Sequence, residues 1–130
     1  MQLSKFSDYA FRALIYLAHN TGRLCTVEEL SEKLCTSEHH MKKVIHKLSS
    51  ARYILSLKGR NGGIRLGMDP RDINLGMILQ YTEENMKLFE CFANDTCPLL
   101  SPNCKLKTIS ATALSAFVQE FSRYNLQDLL

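Results

Sequence analysis

Apolar residues at Phe6, Ala10, Ala13, Leu14, Leu17 and Ala18 recur at steps of three and four, the spacing that gathers side chains on one stripe of an α-helix. The pattern predicts a first helix over about residues 5–20, ended by the turn residues Asn20-Thr21-Gly22. Thr26-Val27-Glu28-Glu29 reads as a capping box that opens a short second helix, with Leu30 and Leu34 inward and a stop near Cys35. Ser37 caps a third helix on which Met41, Val44, Ile45 and Leu48 fall at i, i+3, i+4 and i+7. The opposite face carries His39, His40, Lys42, Lys43, His46 and Lys47, a basic surface with no apolar reason to exist.

The period then changes. Residues 53–58 and 64–66 are short β-prone runs joined by Gly59-Arg60-Asn61-Gly62-Gly63, a hairpin signal in which the glycines allow positive φ. Residues 68–72 read as a linker, and residues 73–82 as a short helix with Leu75, Ile78 and Leu79 packing on the preceding core. Leu106, Ile109, Ala113, Ala116, Phe117, Phe121 and Tyr124 mark a long amphipathic helix over about residues 105–124. Ala111, Ala113 and Ala116 beside the large side chains suit close approach of a second such helix, the other reading being a stripe that covers only its own core. The expected class is mainly α: a winged helix-turn-helix over residues 1–67, a short helix and cysteine-bearing loop over 68–104, and a dimerisation helix with the C-terminus over 105–130.

Two short helices around the tight Cys35-Thr36-Ser37 turn suggest DNA binding, because the second helix of such a pair enters the major groove. Charge agrees with this. Residues 1–67 hold eleven Lys/Arg against five Asp/Glu, a balance of +6, whereas residues 68–130 hold five against eight, a balance of −3. The residues assigned to DNA are Ser37, His39, His40, Lys42, Lys43 and Lys47 on the helix, with Arg60, Asn61, Gly62 and Gly63 in the wing. Arg60 at the tip suits a narrow, A·T-rich minor groove. The competing reading is a merely solvated basic face.

Hydrophobic content of 45% and charged content of 22% are those of a globular protein. The first apolar run is interrupted by Arg12 and followed by no small-residue cleavage site, so a cytoplasmic chain without export signal or membrane span is expected. No nucleophile elbow, phosphate loop or paired-carboxylate site is present, and the chain does not read as an enzyme.

Candidate chemistry lies between residues 90 and 105. Cys91, Cys97 and Cys104 are separated by five and six residues in a polar stretch broken by Pro98 and Pro102, where no periodicity would bury a thiol as a small apolar group. The gaps are wider than those of structural zinc sites and no histidine lies near. Three soft thiolates on a loop suit an iron-sulfur cluster, with a zinc loop, unligated thiols or a disulfide as alternatives. Cys25 and Cys35 sit at semi-apolar positions and read as small core residues.

The stretch Phe6-Ser7-Asp8-Tyr9-Ala10 through Leu14, the wing Lys58-Gly59-Arg60-Asn61-Gly62-Gly63-Ile64-Arg65-Leu66 and the cysteine trio together resemble the iron-sulfur winged-helix repressors of the NsrR/IscR family. The resemblance covers nearly the whole chain. It implies a homodimer on an inverted-repeat operator in double-stranded DNA, with a cluster that reports on nitric oxide or on iron-sulfur status. The IscR type completes its site with a histidine three residues after the last cysteine, where this chain has Lys107, which cannot ligate iron. The NsrR type uses a first-helix carboxylate from the other subunit, and Asp8 stands in the matching motif, so the resemblance is closer to the NsrR type, with a [4Fe-4S] cluster and Asp8 and Arg12 as a switch pair. Read by itself, Asp8 is also favourable near a helix N-terminus and within reach of Arg12 one turn on. Glu90, Asp95 or an exogenous thiol are the other fourth ligands. A regulator sensing iron or cluster supply through [2Fe-2S], or an electron-transfer or assembly protein, are the alternative functions. Against many family members, the chain is expected to end at Leu130 with almost no tail.

Overall fold

A computed structural model of the chain describes residues 1–94, 97, 99 and 103–130. The elements run α1 (Lys5–Ala18), α2 (Val27–Lys33), α3 (Glu38–Ser50), β1 (Ile54–Leu57), β2 (Gly63–Leu66), α4 (Leu75–Thr82), α5 (Cys91–Asn94) and α6 (Lys105–Ser122), with 3-10 turns at Pro70–Asp72 and Leu126–Leu129. This is the expected mainly α, winged helix-turn-helix architecture with a long C-terminal helix.

The helix starts follow local chemistry. Ser4, Thr26, Ser37 and Asn74 each accept a hydrogen bond from the amide three residues on, which satisfies an otherwise orphaned N–H. The Thr26 box is only half formed. Its hydroxyl caps the Glu29 amide, but the Glu29 carboxylate turns away to Tyr16 Oη at 2.6 Å and to Arg23. The guanidinium and the phenol hold this carboxyl down at about 2, because a charged donor rewards the ionised acceptor more than a distant amide does.

Helix α2 ends in a Schellman motif: Thr36 N–H bonds Ser31 C=O, Cys35 N–H bonds Glu32 C=O, and Cys35 itself takes φ +52°. That geometry corrects the expectation of a buried Cys35, whose side chain is exposed; the position that reverses the chain out of a helix faces solvent. Helix α3 ends the same way at Arg52, φ +64°. Cys25 is buried, at 1% exposure, as expected. It also exchanges both backbone hydrogen bonds with Ile64, at 2.9 and 2.7 Å, so it adds a single rung to the wing sheet.

Strands β1 and β2 pair antiparallel, Ile54 opposite Leu66 and Leu57 opposite Gly63. Only Gly59 in the connecting turn has positive φ, at +106°. Gly62 is required for space instead: a Cβ there would stand 2.1 Å from the Leu57 carbonyl oxygen. Gly62→Ala is therefore expected to lower stability by about 1 to 3 kcal/mol, the usual cost of overpacking. An unfolding free energy from urea titration within about 0.5 kcal/mol of the parent, the scatter of neutral surface changes, would contradict it.

One core joins the helices and the wing, from Leu14 and Leu17 on α1 through Leu30, Met41 and Leu48 to Ile54, Ile64, Ile73 and Ile78. The stretch expected as a plain linker contains the Pro70–Asp72 turn, capped by Asp69. The final turn was not foreseen. Asn125 and Asp128 form a capping box there, Leu126 is fully buried, and Leu126 N–H bonds Ile73 C=O at 2.9 Å, which pins the end of the chain to the entry of α4. Helix α6 packs along α4, and the two approach so closely at Gly76 that a Cβ there would meet Ser122 Oγ at 1.9 Å.

Candidate DNA interface and cysteine segment

On α3, Met41, Val44, Ile45 and Leu48 face the core, leaving His39, Lys42, Lys43 and His46 exposed. Lys42 forms an exposed pair with Glu38 at 3.6 Å, worth a fraction of a kcal/mol and easily exchanged for a phosphate. Two residues grouped with this surface are drawn off it. His40 is half-buried, its ring edge-on to Tyr9 at 5.0 Å and 6.3 Å from Phe6, both on α1. Lys47 lies over the Tyr81 ring at 5.0 Å and 3.8 Å from Glu84, at the end of α4. These two brace α3 against its neighbours, and spacing on α3 alone gave no signal of those neighbours. Ser37 Oγ is committed to the His40 amide.

Arg60 and Asn61 are exposed at the wing tip, as expected. Lys58 and Arg65, exposed on the same hairpin, extend its positive charge and were not singled out from the sequence. An exposed basic helix and a cationic wing on one compact core make a surface for a polyanion with two grooves.

The cysteines occupy the other region. Cys91 opens α5, Cys104 is the N-cap residue of α6, and Cys97 lies between; all three are half-buried free thiols. Cys104 makes no side-chain capping bond, unlike the Ser, Thr and Asn caps elsewhere, so its sulfur is not spent on the helix start. It also stands at the end of an eighteen-residue helix where the dipole favours negative charge, the charge that a thiolate-ligated cluster carries. In donor chemistry the trio fits iron-sulfur ligation. Among the described residues, no three His, Cys, Asp or Glu side chains gather to hold a metal ion. Asp95, one alternative fourth ligand, lies outside the described residues, and Glu90 is exposed. Asp8 is on α1, where its carboxylate accepts from Arg12 Nε at 2.9 Å.

The long stripe on α6 divides in two. Phe117 and Phe121 turn inward, their rings 5.1 Å apart and Phe121 6.1 Å from Phe11 of α1. Leu106, Ile109, Ala113 and Ala116, spaced three, four and three apart, face out, with Leu106 48% and Ile109 65% exposed.

Fold and surface together define a DNA-binding transcriptional regulator of the winged helix-turn-helix class. The family described as Rrf2, iron-dependent transcriptional regulator, matches residues 3–130, and the chain belongs to it. It is 40% identical to the HTH-type transcriptional regulator NsrR of Bacillus subtilis, across all of this chain and 90% of that protein. It is likewise 40% identical to the NsrR of Shouchella clausii, across all of this chain and 89% of that protein. Among solved structures, T. potens IscR superposes with a TM-score of 0.79 at 22% identity, covering 99% of this chain and 85% of that one. CymR of B. subtilis, titled the global cysteine regulator, superposes at 0.73 and 22%, covering 99% and 95%. These relatives are named as regulators, a class without an enzymatic reaction. No helix among the described residues is long and apolar enough to cross a membrane.

Proposed function

We propose that the protein is a homodimeric repressor whose affinity for an inverted-repeat operator is set by a [4Fe-4S] cluster that senses nitric oxide. The observation that carries this is the cysteine trio: three half-buried free thiols in one segment of a chain 40% identical from end to end to proteins named NsrR. When bound, the cluster supplies iron sites that react with nitric oxide. Cys91, Cys97 and Cys104 would hold it through sulfur, and Asp8 of the partner subunit would supply the fourth ligand. A carboxylate oxygen is the poorest match for such iron, which makes Asp8 the ligand most easily displaced. An Asp8 not engaged by the cluster would pair with Arg12, as it does in the single chain. That exposed pair contributes only about 0.3 to 0.5 kcal/mol. Most of the switching energy would therefore come from loss of the cluster that ties the cysteine segment to the partner, since a ligand shifts an equilibrium only by its differential affinity.

Anaerobic reconstitution followed by an absorption spectrum and iron and sulfide assays tests the cofactor, and the iron count separates [4Fe-4S] from [2Fe-2S]. Fluorescence anisotropy with labelled DNA, before and after a nitric oxide donor, tests the response. A protein that takes up no iron, or whose DNA affinity ignores both iron and nitric oxide, defeats the proposal.

The DNA side carries its own prediction. Lys43→Ala should weaken binding to every sequence and reduce the slope of log affinity against log salt by about 0.9, one phosphate's worth of counterions. Arg60→Ala should relax preference for the operator instead. Equal salt slopes in parent and Lys43→Ala would take Lys43 off the backbone.

A further inference from the structure

Residues 81–84, at and just past the end of α4, touch both α1 and α3, and one carboxylate lies at the centre of this segment. Glu83 Oε2 accepts from the Ser4 N–H at 3.0 Å, from Ser4 Oγ at 3.0 Å and from Ser7 Oγ at 2.7 Å. Ser7 is fully buried and Thr82, 2% exposed, stands with Oγ1 3.0 Å from Ser7 Oγ. In a capping box the N-cap N–H is bonded by the side chain three residues on; here that residue is Ser7, too short to reach. Glu83, 79 residues away in sequence, supplies the bond from another helix. Burial works against the charged form of this carboxylate, but the Ser7 and Ser4 donors outweigh it and leave its pKa lowered. The anion also faces the start of a fourteen-residue helix, where negative charge is favourable.

What Glu83 holds is connected onward. The first turns of α1 present Phe6 and Tyr9 to His40 on α3. Beside Glu83, Tyr81 Oη donates to Lys47 C=O at 2.9 Å and Glu84 stands 3.8 Å from Lys47 Nζ. Both halves of α3 are thus braced from one short segment, the first half through α1 and the second directly. That segment leaves α4, and Cys91 follows eight residues after Glu83.

We propose that Glu83 is a positioning residue that locks the N-terminus of α1, and through it the DNA-facing helix α3, to the segment entering the cysteine region. In this role it passes the state of that region to the DNA-binding surface. The second statement rests on the cluster-dependent function proposed above; the first does not. A purely local cap would steady α1 alone.

Hydrogen exchange on the cluster-free, full-length protein decides the mechanical part. Glu83→Gln keeps the shape and removes the charge, and should raise amide exchange about fivefold or more both in residues 8–12 and in residues 41–50. Asp69→Ala, which breaks the exposed cap of the Pro70–Asp72 turn, should not single out those segments. If Glu83→Gln folds poorly, Ser7→Ala, which removes one donor from the same cluster, should give the same pattern more weakly. Faster exchange confined to residues 8–12, or none, overturns the link. Anisotropy with labelled operator decides the signalling part: the ratio of cluster-loaded to cluster-free affinity should shrink at least fivefold in Glu83→Gln, the lower end of ordinary allosteric coupling. An undiminished ratio overturns that role. A parent protein whose ratio is already one instead overturns the proposed function, while the exchange result still decides the link.

Discussion

Cys91→Ala, Cys97→Ala and Cys104→Ala, each made singly, should yield folded protein that retains no cluster and binds operator about 5- to 150-fold more weakly than the loaded parent, the span of typical coupling energies. Folding should survive because the three thiols are half-buried and lie outside the core, and substitutions away from buried features usually change stability by about 0.5 kcal/mol or less. Loss of the cluster should be complete in each case, since two thiolates and a carboxylate make a set too weak for a centre that prefers sulfur. Asp8→Ala should differ in kind. It leaves all three thiolates, so iron stays bound, but the spectrum shifts and the rate of reaction with nitric oxide changes. The measurements are iron and sulfide content, visible absorption and anisotropy on the anaerobic proteins. A Cys104→Ala protein with full iron content would remove that sulfur from the site, and an Asp8→Ala protein unchanged in spectrum and kinetics would return the fourth position to Glu90, Asp95 or an added thiol.

The second large effect concerns association. Leu106→Glu combined with Ile109→Glu should convert a dimer to a monomer while leaving the fold intact. Both side chains already stand exposed on α6, at 48% and 65%, so the isolated chain loses little packing. In a two-fold dimer each is buried twice. Burying a Leu or Ile is worth about 1.5 to 3 kcal/mol, so four lost side chains remove about 6 to 12 kcal/mol, enough to move a nanomolar dimer into the micromolar range or beyond. Operator binding should fall by about 10² to 10⁴ as linked half-site contacts become independent. A footprint over two half-sites about 34 to 36 Å apart should contract to one. Sedimentation and footprinting check both. A double variant that still sediments as a dimer would place the interface on another face.

Much of this was legible because it is local. Ser37 caps α3, and Met41, Val44, Ile45 and Leu48 are buried, because cap and period are both settled within one helix. The wing between Ile54 and Leu66 followed from two β-prone runs around a glycine-rich turn. Its glycines were misread in detail. Only Gly59 needs positive φ, whereas Gly62 is confined by the Leu57 carbonyl, a contact that exists only once the strands have paired. Similarly, Thr26-Val27-Glu28-Glu29 has the letters of a capping box, but Arg23 and Tyr16 compete successfully for the Glu29 carboxylate.

By itself the sequence determined the helix stripes, their start signals, the wing, the basic front half and the presence of three thiols outside any apolar period. Each of these depends on residues within a few positions of one another, where backbone geometry is the same in any fold. Tertiary structure alone decided which groups meet across the chain. It drew His40 and Lys47 from the basic face onto α1 and α4, and split the α6 stripe into an inward and an outward half. It also brought Glu83 to Ser4 and Ser7 and buried Leu126 against the entry of α4. The physical reason is common to all four: a side chain's partner is set by which element packs beside it, and hydrophobic burial, which drives that packing, is non-directional, so spacing marks the buried face without naming the element it meets.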